Sequence, residues 1–110
     1  MKPTTLAVHI SHFLSHYLAG QRNLSPNTIK AYRDVFVLLL RFCRDERGIT
    51  IERLKLEQID VQLVDAFLDH LESGHHNMPI TRNHRLAAIK SLAKMIRLMY
   101  PQHRKLAETI

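Results

Sequence analysis

Asn83, Ala87, Lys90, Lys94 and Arg97 fall on one stripe of a helix, because about 100° per residue returns positions three and four apart to the same side. The stripe offers long cations, an amide that both donates and accepts, and one small residue that permits close approach. That is the chemistry required to lie in the major groove of a duplex, where Asn, Arg and Lys can meet base edges and phosphates. Ser91 lies beside the stripe, and Thr81, Arg82 and Arg85 at its N-terminal end are placed to hold backbone phosphates. A smaller set of similar groups, Ser25, Asn27, Thr28 and Lys30, followed by Arg33 and Arg41, gathers on an earlier helix. The alternative reading of both sets is a solvated helix face, although such a face ordinarily interleaves Glu with Lys.

The charge distribution sharpens the first set. No Asp or Glu occurs between Glu72 and Glu108, an interval that holds seven bases: Arg82, Arg85, Lys90, Lys94, Arg97, Arg104 and Lys105. The rest of the chain carries nine bases against ten acids, so the formal net charge of +6 belongs to one C-terminal segment. A one-sided positive field attracts polyanions by releasing their condensed counterions.

Other reactive side chains point to no site. His9, His12 and His16 are read on one side of the first helix, where histidines four apart could share a metal. No Glu follows His12 as a metalloprotease motif requires, and no Cys lies nearby, so no metal and no other cofactor is expected. The three read as a solvated or weakly DNA-facing side, and His75-His76 adds little. Cys43 is the single cysteine; it rules out an internal disulfide and reads as a small buried hydrophobe.

Four helices and no strand are expected to position these groups. The first runs from about Thr5 to Ala19, with Leu6, Ile10, Phe13, Leu14, Tyr17 and Leu18 inward and Gly20 ending it. The second opens on Ser25 as N-cap with Pro26 at the first helical position and Leu24 packing on Ile29. Its inner face is Ile29, Tyr32, Phe36, Leu39, Leu40 and Cys43, widened by Val35, Val37 and Leu38, and it ends near Arg47–Gly48. A connection with a helical turn near Ile51–Leu56 follows. Asp60 caps the third helix, Ile59 packs on Val64, and Val64, Phe67, Leu68 and Leu71 face inward, before a polar turn at Ser73–Asn77. The fourth helix runs from Met78–Pro79 to about Tyr100, where Pro101 stops it, with Leu86, Ile89, Leu92, Ala93, Ile96 and Tyr100 inward. Ser25-Pro26-Asn27-Thr28 and Met78-Pro79-Ile80-Thr81 share an x-Pro-x-Thr opening, which suits either two anion-facing helix ends or two ordinary helix starts.

Nothing at the N-terminus resembles a signal peptide, and no uncharged apolar run approaches a membrane span. The expectation is a soluble cytoplasmic protein with neither a membrane nor a small-molecule partner.

The run Leu24-Ser25-Pro26-Asn27-Thr28-Ile29-Lys30-Ala31-Tyr32-Arg33 resembles the start of the N-terminal SAM-like, or core-binding, domain of phage-integrase family tyrosine recombinases. Thr81-Arg82-Asn83-His84-Arg85-Leu86-Ala87-Ala88-Ile89-Lys90-Ser91-Leu92 is similar to that family's Thr-x-Asn-x-Arg-Leu-Ala-Ala-Ile-x-Ser pattern, and Ile59-Asp60 and Phe67-Leu68 match between them. The resemblance covers about residues 6–110. It implies an all-α, compact four-helix SAM-like bundle over residues 1–100 and a linker over 101–110 toward a catalytic domain absent from this chain. It also implies an arm that grips one face of double-stranded DNA through its second and fourth helices during integration or recombination. Other recombinase protomers would join it on the DNA.

Carried over residue by residue, the DNA contacts are Ser25, Thr28, Lys30, Arg33, Thr81, Arg82, Asn83, Arg85 and Lys90, and the stripe adds Lys94 and Arg97. Two positions depart from the family pattern: Met78 stands where a Ser cap is common, and Ala31 can offer a base only apolar contact. The family's reaction uses a nucleophilic Tyr with Arg and His groups, including a His-x-x-Arg pair, to stabilise developing charge. No His-x-x-Arg occurs in these 110 residues, and Tyr17, Tyr32 and Tyr100 all fall on inner faces, so the chain alone is not expected to be an enzyme. The competing reading is a helical protein-interaction module whose basic stripe docks an acidic partner, with Leu38, Met95 and Leu98 facing outward.

Overall fold

The second helix is bounded by signals that satisfy its end groups, and the computed structural model, described over residues 5–75 and 79–99, shows how. Four α-helices form among the described residues, with no strand: α1 (Thr5–His12), α2 (Pro26–Arg47), α3 (Val61–His75) and α4 (Pro79–Met99). The chain divides into two compact units, one ending at Leu56 and the other beginning at Glu57.

In the first unit α1 passes directly into a π-helical segment, Phe13–Gln21, where an unbroken α-helix to Ala19 was expected. The wider i→i−5 bonding, as from Arg22 N–H to Tyr17 O at 2.8 Å, turns the chain less per residue than an α-helix. Phe13, Tyr17 and Leu18 all remain buried as a result. Gly20 lies inside this segment and does not end it; Asn23 takes the left-handed conformation (φ 49°), and Leu24 N–H then bonds to Leu18 O at 2.9 Å. Asn tolerates that region better than most residues, which explains why glycine is not needed there. Phe13 is the hub of an aromatic cluster, with ring centroids 5.9 Å from Tyr17, 6.2 Å from Tyr32 and 5.7 Å from Phe36.

His9 is a correction to the solvated histidine face. It is 2% exposed, because position 9 is three residues after Leu6 and four before Phe13 and so shares their inward side. His12 is half-buried and only His16 is exposed. Ser15 Oγ donates to Ser11 O at 2.6 Å and lies 2.7 Å from His16 Nδ1.

Ser25 caps α2 as expected, its Oγ accepting from Thr28 N–H at 3.3 Å with Pro26 in the first turn. Val35, Phe36, Leu39, Phe42 and Cys43 are buried, while Val37 is exposed. At the far end Gly48 is left-handed (φ 67°), which lets Ile49 N–H reach Cys43 O at 3.0 Å. The turn expected near Ile51 is present, with Arg53 and Leu54 N–H both bonding to Thr50 O.

In the second unit Asp60 caps α3 through a 2.8 Å bond from Leu63 N–H, and Ile59 and Val64 are both buried, as a staple requires. Leu63, Val64, Phe67, Leu68 and Leu71 form its inner face. The helix continues through Ser73 and Gly74 to His75, so the polar turn expected from Ser73 does not begin there. On α4 the buried residues are Ala88, Ile89, Leu92, Ala93, Met95 and Ile96. Met95, expected outward, is 0% exposed because it continues the Ala88–Leu92 row at the i, i+4, i+7 spacing. Met78, Tyr100 and the linker expected over 101–110 lie outside the described residues.

Candidate nucleic-acid interface

The buried row of α4 dictates which side chains face away from the core of its unit. Asn83, Ala87, Lys90, Lys94 and Arg97 are all exposed, with Ser91, Thr81 and Arg85 half-buried at the margins. Ile80 and Leu98, each 62% exposed, flank the stripe near its two ends. Every member of the expected stripe therefore occupies one solvent-facing side of a single 21-residue helix.

Among the described residues, the side chains of Arg85, Lys90, Lys94 and Arg97 carry no hydrogen bond or ion pair, and the amide of Asn83 is equally free. Arg82 is the exception. Its Nη1 donates to Asp69 Oδ1 at 2.7 Å and to Glu72 Oε2 at 2.8 Å, both on α3. The two carboxylates push its pKa above the ordinary guanidinium value, the Asp69 hydrogen bond contributing most. Reading the sequence did not reveal this engagement. The available signal was the pair of acids one turn apart on the helix that immediately precedes α4.

On α2 the expected contacts Lys30 and Arg33 are exposed, without side-chain partners among the described residues. Ser25 and Thr28 are exposed too, but their hydroxyls bond to each other at 2.9 Å as part of the helix cap. Farther along, Arg44 is held by Asp45 (Nε–Oδ1 2.7 Å), which lowers the Asp45 pKa through that hydrogen bond. Asp34 also sits on the outward side of this helix.

No group of three or more His, Cys, Asp or Glu side chains among the described residues could hold a metal ion. Cys43 is fully buried, and that burial raises its thiol pKa, with Arg47 pulling weakly the other way. A thiol held protonated is a poor nucleophile. No helix among the described residues is long and apolar enough to cross a membrane.

The family described as phage integrase, N-terminal SAM-like domain, matches residues 10–97. A Sinorhizobium fredii protein named as an integrase/recombinase, y4rC, is 38% identical over 102 residues, which cover 93% of this chain and 31% of that protein. The tyrosine recombinase XerC of Chlorobaculum parvum is 34% identical over 86 residues, covering 76% of this chain and 25% of its own length. The chain thus spans less than a third of these curated relatives. No solved structure matches.

Proposed function

The chain belongs to the phage-integrase N-terminal SAM-like domain family, and from that membership we propose that it binds duplex DNA through the outward side of α4. The observation that carries the reading is the acid-free stripe on which three bases, Lys90, Lys94 and Arg97, have no intramolecular partner among the described residues, with Arg85 equally unpaired and half-buried at its margin. Unpaired cations on one side of a rigid helix are available to phosphates without first breaking internal contacts. Asn83 and Ala87 supply base-edge contact and close approach, while Thr81 and Arg85 meet the backbone at the start of the helix. Ser25, Thr28, Lys30 and Arg33 on α2 add phosphate contacts.

In this reading the domain grips DNA and performs no cleavage. The chemistry of integration or recombination belongs to a catalytic domain of the whole recombinase, reached through the segment after Pro101 and working with further protomers on the same duplex, in the cytoplasm. Titration of a mixed-sequence duplex at several salt concentrations tests the proposal. The four free bases of α4 predict that log K falls against log salt with a slope of about −3.6 or steeper, at about 0.9 per phosphate neutralised. Absence of duplex binding at low salt would instead favour a protein-docking module.

A further inference from the structure

Arg82 stands at the start of α4 among residues expected to hold phosphates, yet its cation is already engaged. A single nitrogen bridges Asp69 and Glu72, and the side chain is only 26% exposed. The two acids lie one turn apart on α3, so the bridge joins the opening turn of α4 to the second half of α3. Moving Arg82 onto a phosphate would leave two carboxylates without their cation, close to each other and to the DNA's own negative charge. The arrangement also suits the helix dipole, which disfavours a bare cation in the first turn of α4 and favours carboxylates there.

Resting on the reading of α4 as the DNA face, we infer that Arg82 is a positioning residue rather than a phosphate ligand. It pins α4 to α3 and thereby sets the direction in which Asn83, Ala87 and Lys90 meet the duplex. The bases of α4 then divide into two jobs: Arg82 orients the helix, and the unpaired, exposed Lys90, Lys94 and Arg97 face the polyanion.

A charge exchange at constant net charge distinguishes the two roles. Affinity for a fluorescein-labelled, mixed-sequence duplex is measured well below the melting temperature for the unaltered chain, Arg82→Glu, and Arg82→Glu combined with Asp69→Arg. The single reversal is expected to lose about tenfold in affinity. The exchange rebuilds the arm between positions 69 and 82 with its polarity inverted, the cation at 69 now lying one turn from Glu72 on α3, and is expected to return to within about threefold of the unaltered chain. A phosphate ligand cannot be rescued this way, so an exchange that recovers its melting temperature but binds as weakly as Arg82→Glu overturns the inference.

Should the exchange fail to recover its melting temperature, Arg82→Gln decides. Weaker binding with an unchanged salt slope supports positioning. A slope shallower by about 0.9 reveals a phosphate contact and overturns it, and unaltered affinity overturns it by reducing Arg82 to a stabilising pair. If the unaltered chain binds no duplex, the DNA reading itself has failed, which is a separate and visible outcome.

Discussion

Helices α2 and α4 are of similar length, 22 and 21 residues, and each buries one apolar row, but their outward sides differ in kind. On α2, Lys30, Arg33 and Arg41 share the outward side with Asp34, and Arg44 is neutralised by Asp45. On α4 no acid is present at all, and the one neutralised base, Arg82, is satisfied from α3. A count of basic residues does not separate the two helices. The difference lies in the acids: Asp34, Asp45 and Glu46 stand among the bases of α2 and weaken its attraction for a polyanion, whereas α4 carries none.

The inner rows should behave alike. Phe36→Ala on α2 is expected to cost about 3–5 kcal/mol and Ile96→Ala on α4 about 2–5 kcal/mol in urea denaturation, because both side chains are fully buried. A loss below about 1 kcal/mol at either would mark that row as peripheral. The outer sides should diverge: Lys90→Glu is expected to weaken duplex binding by about tenfold or more, and Arg41→Glu on α2 by about threefold. Equal losses would erase the distinction.

Helix ends in the first unit offer a finer contrast. Gly48 needs its left-handed φ of 67°, so Gly48→Ala should cost about 1 kcal/mol. Gly20 lies inside a helical segment with nothing within 4 Å of an added Cβ, so Gly20→Ala should gain about 0.5–1 kcal/mol. A destabilised Gly20→Ala variant would restore glycine as the stop signal. Lys94→Ala should make the salt slope shallower by about 0.9 while leaving stability unchanged; an unaltered slope removes Lys94 from the interface.

The smallest effect concerns Cys43, whose thiol pKa is raised by burial. Its stabilising effect is full below the unfolded thiol's pKa of about 8.5 and is lost as pH rises through the higher folded value. Stability should therefore decline on the alkaline side in the unaltered chain and decline less in Cys43→Ala, as measured by denaturation from about pH 7 to about pH 10.

The outward stripe of α4 was legible because helical periodicity and the absence of acids are properties of the residue string. The caps at Ser25 and Asp60 were legible for a similar reason: a capping side chain reaches an amide only three residues on. His9 and Met95 read as outward by residue type, polar in one case and flexible in the other, yet their spacing from Leu6 and Leu92 sets both on the buried row. The π-helical segment was not legible; its apolar residues satisfy an α-helical reading equally well, and the aromatic cluster around Phe13 includes Tyr32 and Phe36 from another helix.

By itself, the order of residues determined the all-α class, the limits of α2, and the family, since each depends on local spacing or on motifs read along one stretch. Only the tertiary structure decided which cations are free. Arg82 meets Asp69 and Glu72 because α3 and α4 pack together, and a charge is neutralised by whatever lies near it in space, however far away it stands along the chain.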